Sequence, residues 1–276
     1  MKTLLLTLLA MIAFAANSLL CRLALGEGLI DAASFTAIRT VSGAVTLVLL
    51  VLPGWRKSEH PRVSWKSALM LFVYLAFFSF AYLSLSAGTG ALLLFGAVQL
   101  TMFTVALRSG ERFSGLSWLG LTMAVAGIIY LVLPGVTAPD PLGAMLMVVA
   151  GIAWGFYSLS GRGVSNPLAA TANNFLLAVP LAVLVSLLFL QEFQVSGRGV
   201  LLAVLSGSVT SGLGYVIWFA ALKNLTASRA ATVQLSVPAI AAIGGLFVLS
   251  EPITFRLIIA SIATLGGIAI VLKQKA

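Results

Sequence analysis

Apolar residues run along this chain in stretches of about twenty, each closed by a short cluster of glycine, proline, serine or charged residues. The stretches cover about 4–24, 32–52, 66–86, 88–107, 115–133, 141–160, 168–190, 200–222, 229–249 and 254–272. A helix needs roughly 20 apolar residues to cross hydrocarbon, so each stretch predicts one spanning helix. The alternation of polar and apolar positions over ~10 residues that marks a membrane β-strand is missing. The least marked boundary is at Ala87-Gly88, where the third and fourth stretches meet with almost no loop. The other connections are short, and none is long enough to be a soluble domain. The predicted fold class is an all-α integral membrane protein of ten transmembrane helices, with the lipid bilayer as its solvent.

Composition agrees. The chain is 61% hydrophobic and 8% charged, against about 25% charged in soluble proteins. The net charge of +9 does not point to nucleic acid, because the charges sit in the short loops between apolar stretches. Ten crossings sort the Lys and Arg residues into 12 on the face that holds both termini and 3 on the other, Arg22, Arg198 and Arg256, with Arg39 left inside the second span. The positive-inside rule then predicts a multi-pass protein of the inner (cytoplasmic) membrane with both termini in the cytoplasm. The single cysteine, Cys21, leaves no internal disulfide to form.

The chain also repeats itself. Residues 10–22, AMIAFAANSLLCR, return 140 positions later as AGIAWGFYSLSGR, with six of thirteen positions identical. The same offset matches Phe35 with Phe175, Ala81 with Ala221, Glu111 with Glu251, and Gly127-Ile128 with Gly267-Ile268. One offset held over so long a stretch is the signature of an internal repeat. It divides the chain into 1–136 and 137–276, five spans each. Five is odd, so the second half enters the membrane from the opposite face, and the halves are inverted about an axis in the membrane plane. Secondary transporters are often built this way, with the substrate site near the midplane between the repeats. The repeat also bears on the first span: a segment copied deep inside the chain is expected to be retained rather than cleaved as a signal peptide.

Several of these features together resemble a known family. They are Phe35 and Arg39 as FxxxR in the second span, Ala153-Trp154-Gly155 in the sixth, the run ASRAATVQLSVPAIAAIGGLFVLSEPIT at 227–254, and its partner ending in SGERFS at 109–114. The chain resembles the drug/metabolite transporter superfamily, specifically the EamA-type repeat, over essentially its full length. The first repeat departs from the second in carrying Val98 where the second has Pro238, and Arg112 where it has Pro252. The resemblance implies a carrier that exports small metabolites. Within the superfamily it points to the branch of amino-acid and metabolite exporters that includes the bacterial aromatic amino-acid exporter.

Polar side chains in hydrocarbon are costly and face the bundle or a cavity, so the few present are candidates. Arg39 costs up to ~3 kcal/mol on insertion scales. Two readings are open for it: contact with a substrate carboxylate, or pairing with Asp31, Glu27 or backbone carbonyls. Asn17 and Tyr157 hold equivalent places in the first and sixth spans, and Trp154 and Tyr157 share one helix face. Tyr74, Phe78 and Tyr82 form a stripe at i, i+4 and i+8, and Tyr215 and Trp218 lie three apart in the equivalent eighth span. Aromatic faces with polar tips suit a cavity for an amphipathic small molecule, or ordinary helix packing. Gln99 and Gln234 offer donors and an acceptor. Pro238, four residues after Gln234, removes a backbone donor and makes the ninth span a hinge candidate. Small residues at matching spacing in the fifth and tenth spans, Gly120, Ala124 and Gly127 with Ala260, Thr264 and Gly267, read as close-packing scaffold.

The acids all lie near span ends or in loops, and the only histidine, His60, lies in the loop after the second span. The sequence has no Walker A phosphate loop, no catalytic constellation and no metal cluster, and it calls for no cofactor. The reading is a secondary transporter that exports amino acids, aromatic or otherwise amphipathic, or related small metabolites, driven by the substrate gradient or by protons. The alternatives are an exporter of cationic drugs or nucleobases and, further off, a membrane-embedded enzyme.

Overall fold

The computed structural model describes residues 2–57, 64–161, 164–222, 225 and 232–274. The charged loop positions Glu59, His60, Arg62, Arg162, Lys223 and Arg229 lie outside this set. Ten helices account for the ten apolar stretches: α1 Lys2–Gly26, α2 Ala32–Val51, α3 Trp65–Ala81, α4 Ala87–Arg108 and α5 Gly115–Val132, then α6 Pro141–Ser160, α7 Pro167–Leu188, α8 Gly197–Leu222, α9 Thr232–Leu249 and α10 Phe255–Gln274. All but α3 have the length and hydropathy of a membrane span. At 17 residues, α3 is about 26 Å long.

The helix starts were written locally. In lipid the free N–H groups of a first turn must find partners inside the protein. Here a side-chain oxygen supplies one at helix after helix: Asp31 to Ser34 N (2.8 Å), Asp140 to Gly143 N (2.6 Å), Asn166 to Ala169 N (3.1 Å), Ser196 to Gly199 N (3.0 Å) and Thr254 to Leu257 N (3.1 Å). Ser64, Ser86 and Ser114 do the same for α3, α4 and α5. Pro141 and Pro167 sit in the first turns of α6 and α7, where no N–H is missed.

One boundary moves. The third stretch stops being helical at Ala81, and Tyr82–Ser86 forms a turn before α4. No proline or charge marks it. It is made by backbone bonds from Leu83 N to Phe80 O and Ser84 N to Ala81 O, and by the Ser86 cap, so it is invisible to a hydropathy pattern.

The helix contacts have the pattern that a two-fold exchanging the two halves would give. The pairs α2·α7, α4·α9 and α5·α10 each join a helix to its own counterpart. The contact of α3 with α6 is answered by α1 with α8, and that of α4 with α6 by α1 with α9. A residue touches its own repeat image only near such an axis, and two image pairs do. The rings of Phe14 and Trp154 meet edge to face at 6.2 Å, and Thr264 Oγ1 donates to Ala124 O at 3.4 Å. At that second point α5 and α10 approach closely through their small faces: a Cβ on Gly127 would lie 2.5 Å from Thr264 Oγ1, and one on Gly120 would lie 2.6 Å from Gly267 O.

This seam carries a prediction. Overpacking a tight contact costs about 1–3 kcal/mol, so Gly127→Leu is expected to lower the thermal unfolding midpoint in detergent. Gly115→Ala, where an added Cβ meets nothing within 4 Å, is expected to leave it unchanged.

Candidate functional site

At the middle of the bundle, apolar faces of five helices bring rings together. Phe14 from α1 contacts Trp154 of α6, Tyr215 of α8 (6.1 Å) and Trp218 of α8 (5.8 Å). Tyr74 of α3 lies 4.7 Å from Trp154, and Trp154 lies 5.1 Å from Tyr215. Phe175 of α7 closes the far side at 6.0 Å from Tyr215. The rings enclose a cavity of about 10 Å³, room for about one water, lined by Phe14, Asn17, Ser18, Tyr74, Phe78, Leu94, Phe95, Trp154, Thr210 and Tyr215. The site is closed in this conformation.

Its polar side is a shared network. Asn17 Oδ1 accepts from Ser206 Oγ (2.7 Å) and Thr210 Oγ1 (3.0 Å), while Asn17 Nδ2 donates to Tyr74 Oη at 3.5 Å. Arg39 Nη2 donates to the same tyrosine oxygen and to Ser211 Oγ, each at 3.3 Å. Ser206, Thr210 and Ser211 all come from Ser206–Leu213, where α8 widens into a π-helix. Such turns are rare and tend to occur at functional sites. Here the widened segment presents Thr210 to the chamber, Ser206 to Asn17 and Ser211 to Arg39.

Arg39 is fully buried, and it is not held as the structural reading expected. Asp31 is occupied in capping Ser34 N and accepting from Gln194 N, and Glu27 pairs with Arg198. The Arg39 guanidinium instead lies over the rings of Phe78 (4.8 Å) and Tyr74 (5.6 Å).

The other sequence candidates distribute around this core. Tyr157 packs on Trp154 at 5.6 Å and lines a larger space beyond it. Tyr82 lies at the end of the stripe, 4.8 Å from Phe78, with its hydroxyl donating to Ala87 O. Gln99 and Gln234 are buried in α4 and α9 and do not line the chamber. Helical geometry lapses at Leu235, one residue after Gln234, and Pro238 enters the resumed helix. Sequence reasoning missed Ser18, Leu94, Phe95, Phe175, the three α8 hydroxyls and Phe14 as members of the site. Phe14 had a readable signal: it is the repeat image of Trp154 and stands three residues before Asn17.

The two faces of the bundle differ. On the face that carries the chain termini, a vestibule of about 480 Å³ opens between the ends of α3, α6, α7 and α8, with Ser67, Tyr157, Ser160, Thr171, Asn174 and Phe219 in its lining. Tyr157 is the ring between this vestibule and Trp154. On the opposite face an ion pair joins α1 to the end of α9: Arg22 Nε donates to Glu251 Oε1 at 2.9 Å. Arg22 Nη1 also donates to the carbonyls of Tyr82 and Leu83, both at 3.1 Å. Glu251 Oε2 accepts from Ala87 N at the start of α4, at 2.8 Å. One pair therefore ties together α1, the α3–α4 turn, α4 and α9, and lines a recess of about 300 Å³ on that face.

The Asn17 network gives a measurable expectation. Ser206→Ala with Thr210→Val leaves Asn17 Oδ1 buried without a donor, and the double variant is expected to lose about 1–3 kcal/mol in denaturant unfolding. Each single variant leaves one donor in place and is expected to lose less.

Residues 141–273 match the model of the EamA-like transporter family. An uncharacterized protein of Pseudomonas aeruginosa is 52% identical over 274 residues, covering 99% of this chain and 96% of its own length. The threonine/homoserine exporter RhtA of Escherichia coli K12 is 30% identical over 238 residues, covering 82% of this chain and 77% of that protein. A crystal structure with 19% sequence identity superposes with a TM-score of 0.70 over 98% of this chain and 96% of that one, so the fold is shared.

Proposed function

This chain belongs to the EamA-like transporter family, and from that premise we propose that it is a secondary transporter of the cytoplasmic membrane that exports amino acids by alternating access. The observation that carries the reading is the difference between the two faces. A vestibule of about 480 Å³ reaches Tyr157 from the face with the termini, while the opposite face is tied shut by Arg22 and Glu251. A closed aromatic chamber stands between them. With the termini in the cytoplasm, the orientation that the positive charge of that face supports, this conformation is closed outward and loads from inside. The division at residue 136, with two inverted halves, supplies the second conformation: exchanging the roles of the halves closes the inner face and opens the outer one.

An amino acid fits the chamber's chemistry. Its rings offer faces to an apolar side chain, and Asn17, Tyr74 and Thr210 offer polar partners. No acid lines the chamber among the described residues, which disfavours a cationic drug. Those residues hold no cluster of His, Cys, Asp or Glu for a metal centre, which disfavours a metal-dependent enzyme. Threonine and homoserine, named for the Escherichia coli relative, are the first substrates to try, followed by the aromatic amino acids suggested by the ring-lined chamber.

Proteoliposome uptake tests the reading. Labelled threonine, homoserine or an aromatic amino acid is expected to enter saturably, and Trp154→Ala is expected to reduce uptake about tenfold, about 1.4 kcal/mol, with the folded fraction unchanged by gel filtration. Uptake of none of these amino acids would overturn the substrate assignment. The closure has its own reporter, because Cys21 is the chain's single cysteine, is fully buried, and neighbours Arg22. Glu251→Gln is expected to speed Cys21 labelling by a water-soluble methanethiosulfonate added from outside. An unchanged rate would overturn the assignment of this pair as the outer closure.

A further inference from the structure

A carrier of amino acids has two charged groups on its substrate to recognise, and the buried polar inventory distinguishes them. Arg39 is fully buried, yet its Nε and Nη1 have no hydrogen-bond partner. The bonds made by Nη2, to Tyr74 Oη and Ser211 Oγ, are both long at 3.3 Å. The arginines that serve the frame are bonded differently. Arg22 reaches a carboxylate and two backbone carbonyls, and Arg256 donates to the carbonyls of Leu131 and Leu133. An unpaired buried guanidinium is costly to keep, and the neighbouring acids are committed elsewhere: Asp31 to a helix cap, Glu27 to Arg198, Glu251 to Arg22. A second buried group, the Tyr215 hydroxyl, also lacks a partner, and it belongs to the chamber wall.

These unpaired donors lie at one wall of the chamber. Arg39 stands directly behind Tyr74 and Phe78, both of which line the cavity. The Tyr74 hydroxyl is the shared acceptor of Arg39 and Asn17. The chamber must expand to admit anything larger than a water, and displacement of the Tyr74 ring uncovers the guanidinium. The positive charge and the spare N–H groups match a carboxylate, which accepts charge-assisted bonds from arginine. Nothing of opposite sign lines the chamber for an ammonium group among the described residues; it would meet only ring faces and neutral oxygens.

Building on the carrier reading above, we infer that Arg39 is the charge-recognising group of the site and that the molecules carried share a carboxylate, with the α-ammonium dispensable. Amino acids are then one subset of a broader class of small amphipathic carboxylates that includes their 2-oxo acids.

A matched ligand series on the wild-type protein tests this without relying on a variant that folds. L-Phenylalanine, phenylpyruvate and phenethylamine share one ring and differ only in the charged groups. Calorimetric titration of the full chain in nanodiscs is expected to show phenylalanine and phenylpyruvate binding within about tenfold of each other, and phenethylamine at least about 100-fold more weakly, the scale of losing a buried charge partner. Arg39→Lys is expected to weaken both carboxylates about tenfold by replacing a fork with a point charge, and Arg39→Gln to abolish their binding. Phenethylamine binding as tightly as phenylalanine would overturn the inference and leave the amino-acid carrier standing. Phenylpyruvate binding without phenylalanine would uphold the inference, and it would overturn the amino-acid reading if threonine and homoserine also fail to bind. Binding of neither carboxylate would overturn the inference, and the amino-acid reading falls with it only if threonine and homoserine fail as well. A folded Arg39→Gln protein that binds carboxylates as the wild type does would overturn the role of Arg39.

Discussion

A polar group inside hydrocarbon has no water to turn to, so its partner must come from the protein itself. The rest of this structure follows from that constraint. Helix starts are capped by Asp, Asn, Ser or Thr side chains. Hydroxyls within spans bend back to a carbonyl one turn earlier, as Thr36 does to Ala32, Thr40 to Thr36, Ser79 to Leu75 and Thr101 to Ala97. Asn17 is served by three separate partners. Against so thorough a pairing, the few buried side-chain atoms without a partner among the described residues stand out, and they cluster at one wall of one chamber: Arg39 Nε and Nη1, and Tyr215 Oη.

The chamber's place in the fold is set by the two-fold. Phe14 and Trp154 meet because repeat images meet only on the axis, and the same axis runs through the Ala124–Thr264 contact where α5 and α10 close. The candidate site and the close-packed α5–α10 contact therefore share one line through the molecule. Residues at the axis lie between the two halves and are exposed to motion of either. The symmetry is broken at the faces, where one side holds an ion pair and the other a vestibule. In the carrier reading proposed above, a second conformation would reverse the roles of the halves.

The π-helical segment of α8 links frame and site. Its glycine, Gly207, passes so near α2 that a Cβ there would collide with the Arg39 carbonyl and the Ser42 hydroxyl. Gly43 on α2 lies opposite, with the Gly207 carbonyl 3.1 Å and the Phe175 ring of α7 2.6 Å from the place of its missing Cβ. This contact sets the depth of Arg39 in the bundle and aims Ser206, Thr210 and Ser211 at Asn17 and Arg39. Ser206 and Thr210, four apart, would share a face in a regular α-helix, and the widened turns bring Ser211 round towards that face.

By itself the sequence determined the number of spans, most of their boundaries, their caps and the repeat, because hydropathy and capping act over a few residues and a duplication leaves its offset in the chain. It also singled out the aromatic and polar candidates, because few such residues occur inside apolar stretches. Of these, Asn17, Tyr74, Phe78, Trp154 and Tyr215 came together at one cavity. The tertiary structure alone decided which candidates share a wall. Tyr82 went to the turn that receives Arg22, and Gln99 and Gln234 went elsewhere in the bundle, because a helical position fixes a direction on its own helix but not the neighbour it faces. It decided the π-helical turns, whose serines and threonine read in the sequence as ordinary small residues. It decided the partner of Arg39 as well: the nearby acids were taken by a cap and by other arginines, and that competition is settled only when distant spans are packed side by side.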